Sequence, residues 1–435
     1  MISDKIYSGF KGLINIPGDK SISHRSIIIP SISVGITEIN NILMSEDVLH
    51  TLKAFQALGV KIENTNNKIF IHGNGLNSLA QSKREIYLGN SGTSARLLTG
   101  LLASQSFDTI ICGDKSLSSR PMKRIIDPLK IMGAQFESNN NKLPLKIKGK
   151  KLKNSTIKIE IPSAQIKSGI MLAAINTDGV SKIIESNITR DHTENMLSAF
   201  GAKIDIKKNS YETLITIEGK KELKANKIDV PSDLSSSAFF IVGALINEGS
   251  KIYIPNININ PTRDGILKAL KKMGANINIK NKRLLSGEIV GDLDVEYSNL
   301  YGCDLDKDMA KLMIDEYPIL SVAAAFANSP SIFRGLSELK VKESDRLELI
   351  RLNLVRCGCE CNVVNDDLII KPSKIYNVNN RNIRTDYDHR IAMSFAVMGT
   401  KIGNLLIEDS KSINTSFPNF KDIFNRAGGN FLWQK

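Results

Sequence analysis

Leu52-Lys53-Ala54-Phe55-Gln56-Ala57-Leu58-Gly59-Val60-Lys61-Ile62 reads as the end of an amphipathic helix, a glycine and the start of a strand. The glycine falls where a helix C′ residue needs a positive φ. The same order returns in IDPLKIMGAQFE (126–137), ENMLSAFGAKIDI (194–206), ILKALKKMGANINI (266–279), LIRLNLVRCGCECNV (349–363) and FKDIFNRAGGNF (420–431). Each is preceded by a short strand-like stretch, a polar loop and an apolar helix rich in small residues. These copies begin near Ile14, Glu85, Ile157, Ile228, Met309 and Ile383. The repeat, roughly 70 to 85 residues, exceeds the periods of solenoids. The pattern predicts an α/β enzyme with internal pseudo-symmetry, its units aiming their loops at a common centre. Six units suggest two domains of three, with a break near Asp229-Val230-Pro231. The strand before Pro17-Gly18-Asp19 is assignable to either half.

The chain has 435 residues, enough for two hydrophobic cores. Its net charge of +13 suits nucleic acid, an anionic membrane or small anionic substrates. No aromatic residues interleave the basic run 146–153, which favours a solvated face over an RNA surface. Asp4, Lys5 and Lys11 interrupt any leading apolar segment. The longest apolar runs, 237–247 and 317–327, are too short to span a bilayer and are expected as buried helices. A cytoplasmic protein without membrane attachment is expected. Cys357, Cys359 and Cys361 alternate, which is one face of a strand rather than a zinc spacing, and no metal site is expected.

The polar loops carry the chemistry. Lys20 and Arg25 flank a helix start in GDKSISHR (18–25), where exposed N–H groups suit an anion. Ser21 there is either a helix cap or a phosphate donor. LGNSGTSAR (88–96) is a Gly-rich turn between strand and helix, a moderate anion signal and not a P-loop. Arg120, before Pro121, is held extended with its guanidinium fork presented, or is a plain surface turn residue. Ser163, Ala164 and Gln165 offer neutral groups at a third helix start. Thr193 is a reasonable cap for the helix after Arg190-Asp191-His192. In the second half Asp315 and Glu316 lead an apolar helix, where acids either complement the dipole or face a ligand. Lys342, Glu343 and Arg346 share one short loop, as solvated pairs or as a site. His389 and Arg390 open the last apolar helix, and His389 is a candidate base. Cations from both halves together with Asp315 and Glu343 point to two small polyanions with acid–base chemistry between them.

Taken together, GDKSISHR, GNSGTSARL, SRPM, IPSAQIKSG, TRDHTE, IDEYPIL, VKESDRL, DHRIAMS and TSFPNF resemble, in order and from end to end, the enolpyruvyl transferase family. The resemblance is to the branch acting on shikimate 3-phosphate, in its class II variant. It implies a two-lobed inverse α/β barrel of six βαβαββ repeats, three per domain. One lobe would comprise residues 1–19 and 230–435, the other 20–229. It also implies transfer of the enolpyruvyl group of phosphoenolpyruvate to the 5-hydroxyl of shikimate 3-phosphate, on the route to chorismate and aromatic amino acids. No cofactor, metal or nucleic acid would take part, and the protein would be a monomer. The family pattern makes Glu343 the acid toward the methylene, Asp315 the acceptor of the hydroxyl proton, and Lys20 a group touching both substrates. Lys20, Ser21, Arg25, Ser163, Ala164, Gln165, Arg190, Asp315 and Lys342 would hold shikimate 3-phosphate. Lys20, Gly92, Arg120, Gln165, Arg346 and Arg390 would hold phosphoenolpyruvate.

The chain departs from many family members at Asn414-Thr415-Ser416-Phe417-Pro418, which lacks their preceding Lys; Lys411 is nearby but out of place. The branch acting on UDP-N-acetylglucosamine carries a reactive Cys where this chain has Lys115. A basic RNA-binding protein is the rival from another class, and salt-sensitive RNA binding would support it.

Overall fold

A computed structural model describes residues 1–65, 68–209, 211–372 and 381–432. The chain divides into two compact units. Unit 1 is Met1–Pro17, Pro231–Leu284 and Ile289–Lys435; unit 2 is Gly18–Val230 and Leu285–Glu288. The placement of 285–288 with unit 2 has no signal in the sequence.

Among the described residues each unit carries three four-stranded sheets with one shared plan. In unit 2, Thr156–Ile159 pairs parallel with Val180–Glu185, which pairs antiparallel with Thr213–Glu218, itself antiparallel to Lys203–Lys208. The parallel pair is bridged by the apolar helix Ala164–Ile175, as a parallel crossover requires. The hairpin then returns through the shorter helix His192–Ala199 and Gly201, whose φ is +90°. Gly59, Gly133, Gly274, Gly358 and Gly428 take the same left-handed conformation at the same step. The repeat seen in the sequence is therefore a repeated helix termination.

Two strands are exchanged between repeats. Lys11–Leu13, which precedes the first apolar helix, pairs with Lys251–Asn258 of the fourth repeat. Ile228–Asp229, which precedes the fourth helix, pairs with Val34–Asn40 of the first. The N-terminus completes the sixth sheet, with Ile2–Ser3 between Leu405–Ile407 and Phe431–Leu432.

Among the described residues, three apolar helices fill the interior of each unit. All residues of Leu234–Ile246 and Tyr317–Ala325 are buried, as expected for helices apolar all round. The sheets lie outside, with alternate residues buried and exposed along Thr156–Ile159. Gly100 and Gly169 bring two unit 2 helices into backbone contact, since a Cβ on Gly100 would lie 1.8 Å from the Gly169 carbonyl oxygen. Cys357, Cys359 and Cys361 enter the unit 1 core, and burial pushes the Cys361 thiol up to about 12. No helix among the described residues is long and apolar enough to cross a membrane.

Candidate active-site groups in the two units

The loops quoted above sit at the N-termini of the buried helices. In unit 2 the helix Lys20–Ser31 is capped by Asp19, which accepts from the Ile22 N–H at 2.9 Å. Ser21 is therefore inside the first turn and is not the cap. Lys20 forms an ion pair with Asp47, a partner the sequence did not single out. Arg25, one turn on, is buried. Its Nε donates to Thr193 Oγ1 at 2.7 Å, Nη1 to the Ser21 carbonyl at 2.9 Å, and Nη2 to Ser168 Oγ at 2.6 Å. Burial lowers its pKa to about 10, with Arg190 adding repulsion against the attraction of Glu194 and Asp19. Thr193 thus serves Arg25, and the helix His192–Ala199 begins at Asp191 without a side-chain cap. The fixed fork of Arg25, with Arg190 near enough to repel it, makes an electropositive centre suited to a phosphate.

Beneath it Lys167 is buried between Glu194 Oε1 at 2.7 Å and Glu185 Oε2 at 3.1 Å. Burial opposes its charge, but the two carboxylates hold its pKa above the ordinary lysine value. This lysine lies in IPSAQIKSG (161–169), where the sequence does not single it out.

His24 is also buried, with Nδ1 2.7 Å from Thr51 Oγ1, which meets Ser94 Oγ at 2.5 Å. Burial, then Lys20 and Arg25, hold its pKa well below 6.5. The native state therefore binds fewer protons at His24 than the unfolded chain does. Its contribution to stability is full above about pH 6.5 and is lost as the pH falls below that value, by at most about 1.4 kcal/mol per pH unit. Thermal unfolding should consequently shift to lower temperature between about pH 7.5 and about pH 5.5, and less so in His24→Gln. An equal shift in both proteins would refute this linkage.

The second loop places Ser91 as cap of the helix Gly92–Ala103. Arg96 Nη1 donates to Gln165 Oε1 at 3.1 Å and to the Gly92 carbonyl at 3.1 Å, and Gln165 Nε2 donates to Thr93 Oγ1 at 3.0 Å. Arg120 has φ −77° and ψ 140°, the extended state its Pro neighbour favours, and donates to Asn90 Oδ1 at 2.6 Å. A Cβ on Gly92 would lie 2.6 Å from Arg96 Nη1 and 3.2 Å from Arg120 Nη1. Gly92 thus lies beside both Arg96 and Arg120, and Arg96 links it to Gln165. Ser163 caps Ala164–Ile175 and so places Ala164 and Gln165 in its first turn.

Unit 1 gathers its acids around one cation. Arg346 is buried, with Nε 2.8 Å from Asp388 Oδ2, Nη2 2.6 Å from Glu343 Oε2 and Nη1 3.3 Å from Asp315 Oδ1. Burial opposes its charge, yet Asp388, Glu343 and Asp315 more than offset this and raise its pKa. Burial would raise the Asp388 carboxyl, but Arg346 and His389 hold it below 3.8. Asp388 also caps the helix His389–Ile402, accepting from the Arg390 N–H at 2.9 Å. Arg390 Nη1 donates to the Asp315 carbonyl at 3.2 Å. Asp315 therefore touches both Arg346 and Arg390, and Lys342 is half-buried beside Glu343. His389 is buried, with Nδ1 3.4 Å from Thr415 Oγ1. Asp388 lay within the quoted DHRIAMS stretch, and its acidic cap position was the available signal.

A family model described as EPSP synthase (3-phosphoshikimate 1-carboxyvinyltransferase) matches residues 5–424. A 3-phosphoshikimate 1-carboxyvinyltransferase of Vesicomyosocius okutanii is 44% identical over 421 residues, covering 96% of each chain. One of Ruthia magnifica is 44% identical over 425 residues, 97% of each chain. A solved structure of EPSP synthase from Acinetobacter baumannii superposes with a TM-score of 0.87 at 41% identity, covering 98% of both chains. On the fold, the ordered set of loops and these matches, the chain belongs to the EPSP synthase family.

Proposed function

We propose that the protein transfers the enolpyruvyl group of phosphoenolpyruvate to the 5-hydroxyl of shikimate 3-phosphate, releasing phosphate. The observation that carries this reading is the contact of one buried guanidinium, Arg346, with both expected proton-transfer carboxylates, Asp315 and Glu343. Glu343 protonates the methylene carbon, the hydroxyl adds at the carbon bearing phosphate, and Asp315 takes the hydroxyl proton. Glu343, now a carboxylate, takes a proton back from the methyl group as phosphate leaves. Lys20 shares in this proton traffic and touches both substrates. An anion arriving at Arg346 competes with Glu343 for the same nitrogen.

Ser21, Arg25, Ser163, Ala164, Gln165, Arg190 and Lys342 hold shikimate 3-phosphate in this reading. Gly92, Arg120, Gln165, Arg346 and Arg390 hold phosphoenolpyruvate. The protein acts on these small anions as a cytoplasmic monomer. The test is release of inorganic phosphate from a mixture of both compounds. Release that requires shikimate 3-phosphate supports the reading; none, with no protection of the protein from unfolding by either compound, overturns it.

Gly92→Ala should displace the ends of Arg96 and Arg120, since the added methyl meets both. Those are flexible tips, so the thermal midpoint should hold. The KM for phosphoenolpyruvate should rise about tenfold, within what a sub-ångström misplacement costs. An unchanged KM would remove Gly92 from this site.

A further inference from the structure

We infer that Glu316 is a positioning residue that sets the Arg390 guanidinium for an anionic carboxylate or phosphate, through a buried relay running back to Asp233. This rests on the assignment of Arg390 to phosphoenolpyruvate. Glu316 ends the short turn Ile314–Glu316 that also carries Asp315, and it is 1% exposed. Its Oε1 accepts a hydrogen bond from Ser235 Oγ and lies 3.9 Å from Arg390 Nη1. Ser235 Oγ accepts in turn from Arg263 Nη2 at 2.5 Å, and the same nitrogen reaches Asp233 Oδ1 at 3.0 Å. Asp233 caps the fully buried helix Leu234–Ile246.

Charges alternate along this path: Asp233, Arg263, Glu316, Arg390. Arg263 is 2% exposed, whereas the Arg390 side chain is 15% exposed, so the relay meets solvent at its Arg390 end. A buried network is costly unless its charges are paired, and this one is held from the N-terminus of a rigid core helix. Glu316 faces the Arg390 guanidinium directly and reaches that of Arg263 through Ser235 Oγ. With its charge removed, Arg390 keeps the Asp315 carbonyl contact but loses the counter-charge that fixes its second direction. A fork turned away from its ligand loses the bidentate geometry.

Glu316→Gln preserves shape and can still accept from Ser235. Its KM for phosphoenolpyruvate should rise at least about tenfold while the KM for shikimate 3-phosphate stays within about twofold, since displacement of a binding group acts on the ligand it holds. Ser235→Ala, which cuts the relay without touching a charge, should move the same KM in the same direction by less, and serves if the first variant fails to fold. Equal changes in both KM values, no change, or a lower KM for phosphoenolpyruvate would overturn the inference, the last because Glu316 would then merely compete with substrate. Absence of phosphate release by the unsubstituted protein would instead overturn the functional reading on which it rests.

Discussion

Arg346→Met lowers the unfolding free energy of unit 1 by about 3–5 kcal/mol and abolishes phosphate release. The side chain lies among Asp388, Glu343 and Asp315, and Asp388 has no exposed surface. Methionine fills much of the volume but leaves three carboxylates facing one another. The loss arises from uncompensated buried charge rather than from a cavity. Arg346→Lys should recover only part of it, because one ammonium cannot reproduce a fork that meets three acids in three directions. The pH dependence separates this account from simple packing. Asp388 has a folded pKa below its unfolded value of 3.8, so its contribution is present above about pH 3.8 and is lost as pH falls through the folded value. Arg346→Met removes the cation that depresses that pKa, so the gap between the two proteins should be widest at neutral pH and should close in acid. Denaturant unfolding at several pH values measures it. A gap independent of pH would refute the charge account.

Glu343→Gln should reduce the turnover of phosphate release by about 10²–10⁴ with little change in stability. The amide keeps the size and one acceptor oxygen for Arg346 Nη2, but it cannot deliver a proton to carbon. The side chain is 29% exposed, so its ion pair contributes less to stability than that of Asp388. The substrates should still raise the thermal midpoint of the variant, since Arg25 and Arg120 belong to the other unit and are untouched. A loss of turnover below about tenfold would transfer the acid role to another group.

The repeat was legible because a helix ending on a left-handed glycine writes itself into local sequence at every copy. The loops were legible for the same reason: helix N-termini require caps and expose donors, and both select short polar residues. Lys20, Arg25, Asp315 and Arg346 could thus be named from their positions at or beside helix starts, Glu343 from the short charged loop leading into Arg346, and Arg120 from the proline that follows it. Two helix caps fell elsewhere. Of the two roles open to Ser21 the cap is taken by Asp19, and Thr193 accepts from Arg25 instead of capping its helix. Both are contests between neighbouring polar residues that only packing resolves.

Sequence alone determined the six-unit α/β architecture, the polar helix starts and the segregation of candidate acids into the second half, since each depends on residues close together in the chain. Tertiary structure alone decided the exchange of Lys11–Leu13 and Ile228–Asp229 between repeats, the pairing of Lys20 with Asp47, and the convergence of Asp315, Glu343 and Asp388 on Arg346. It also decided the relay from Asp233 to Arg390. Those contacts join residues far apart in sequence, and their partners are chosen by which buried charges must be neutralised once the helices are packed, a condition that no local pattern encodes.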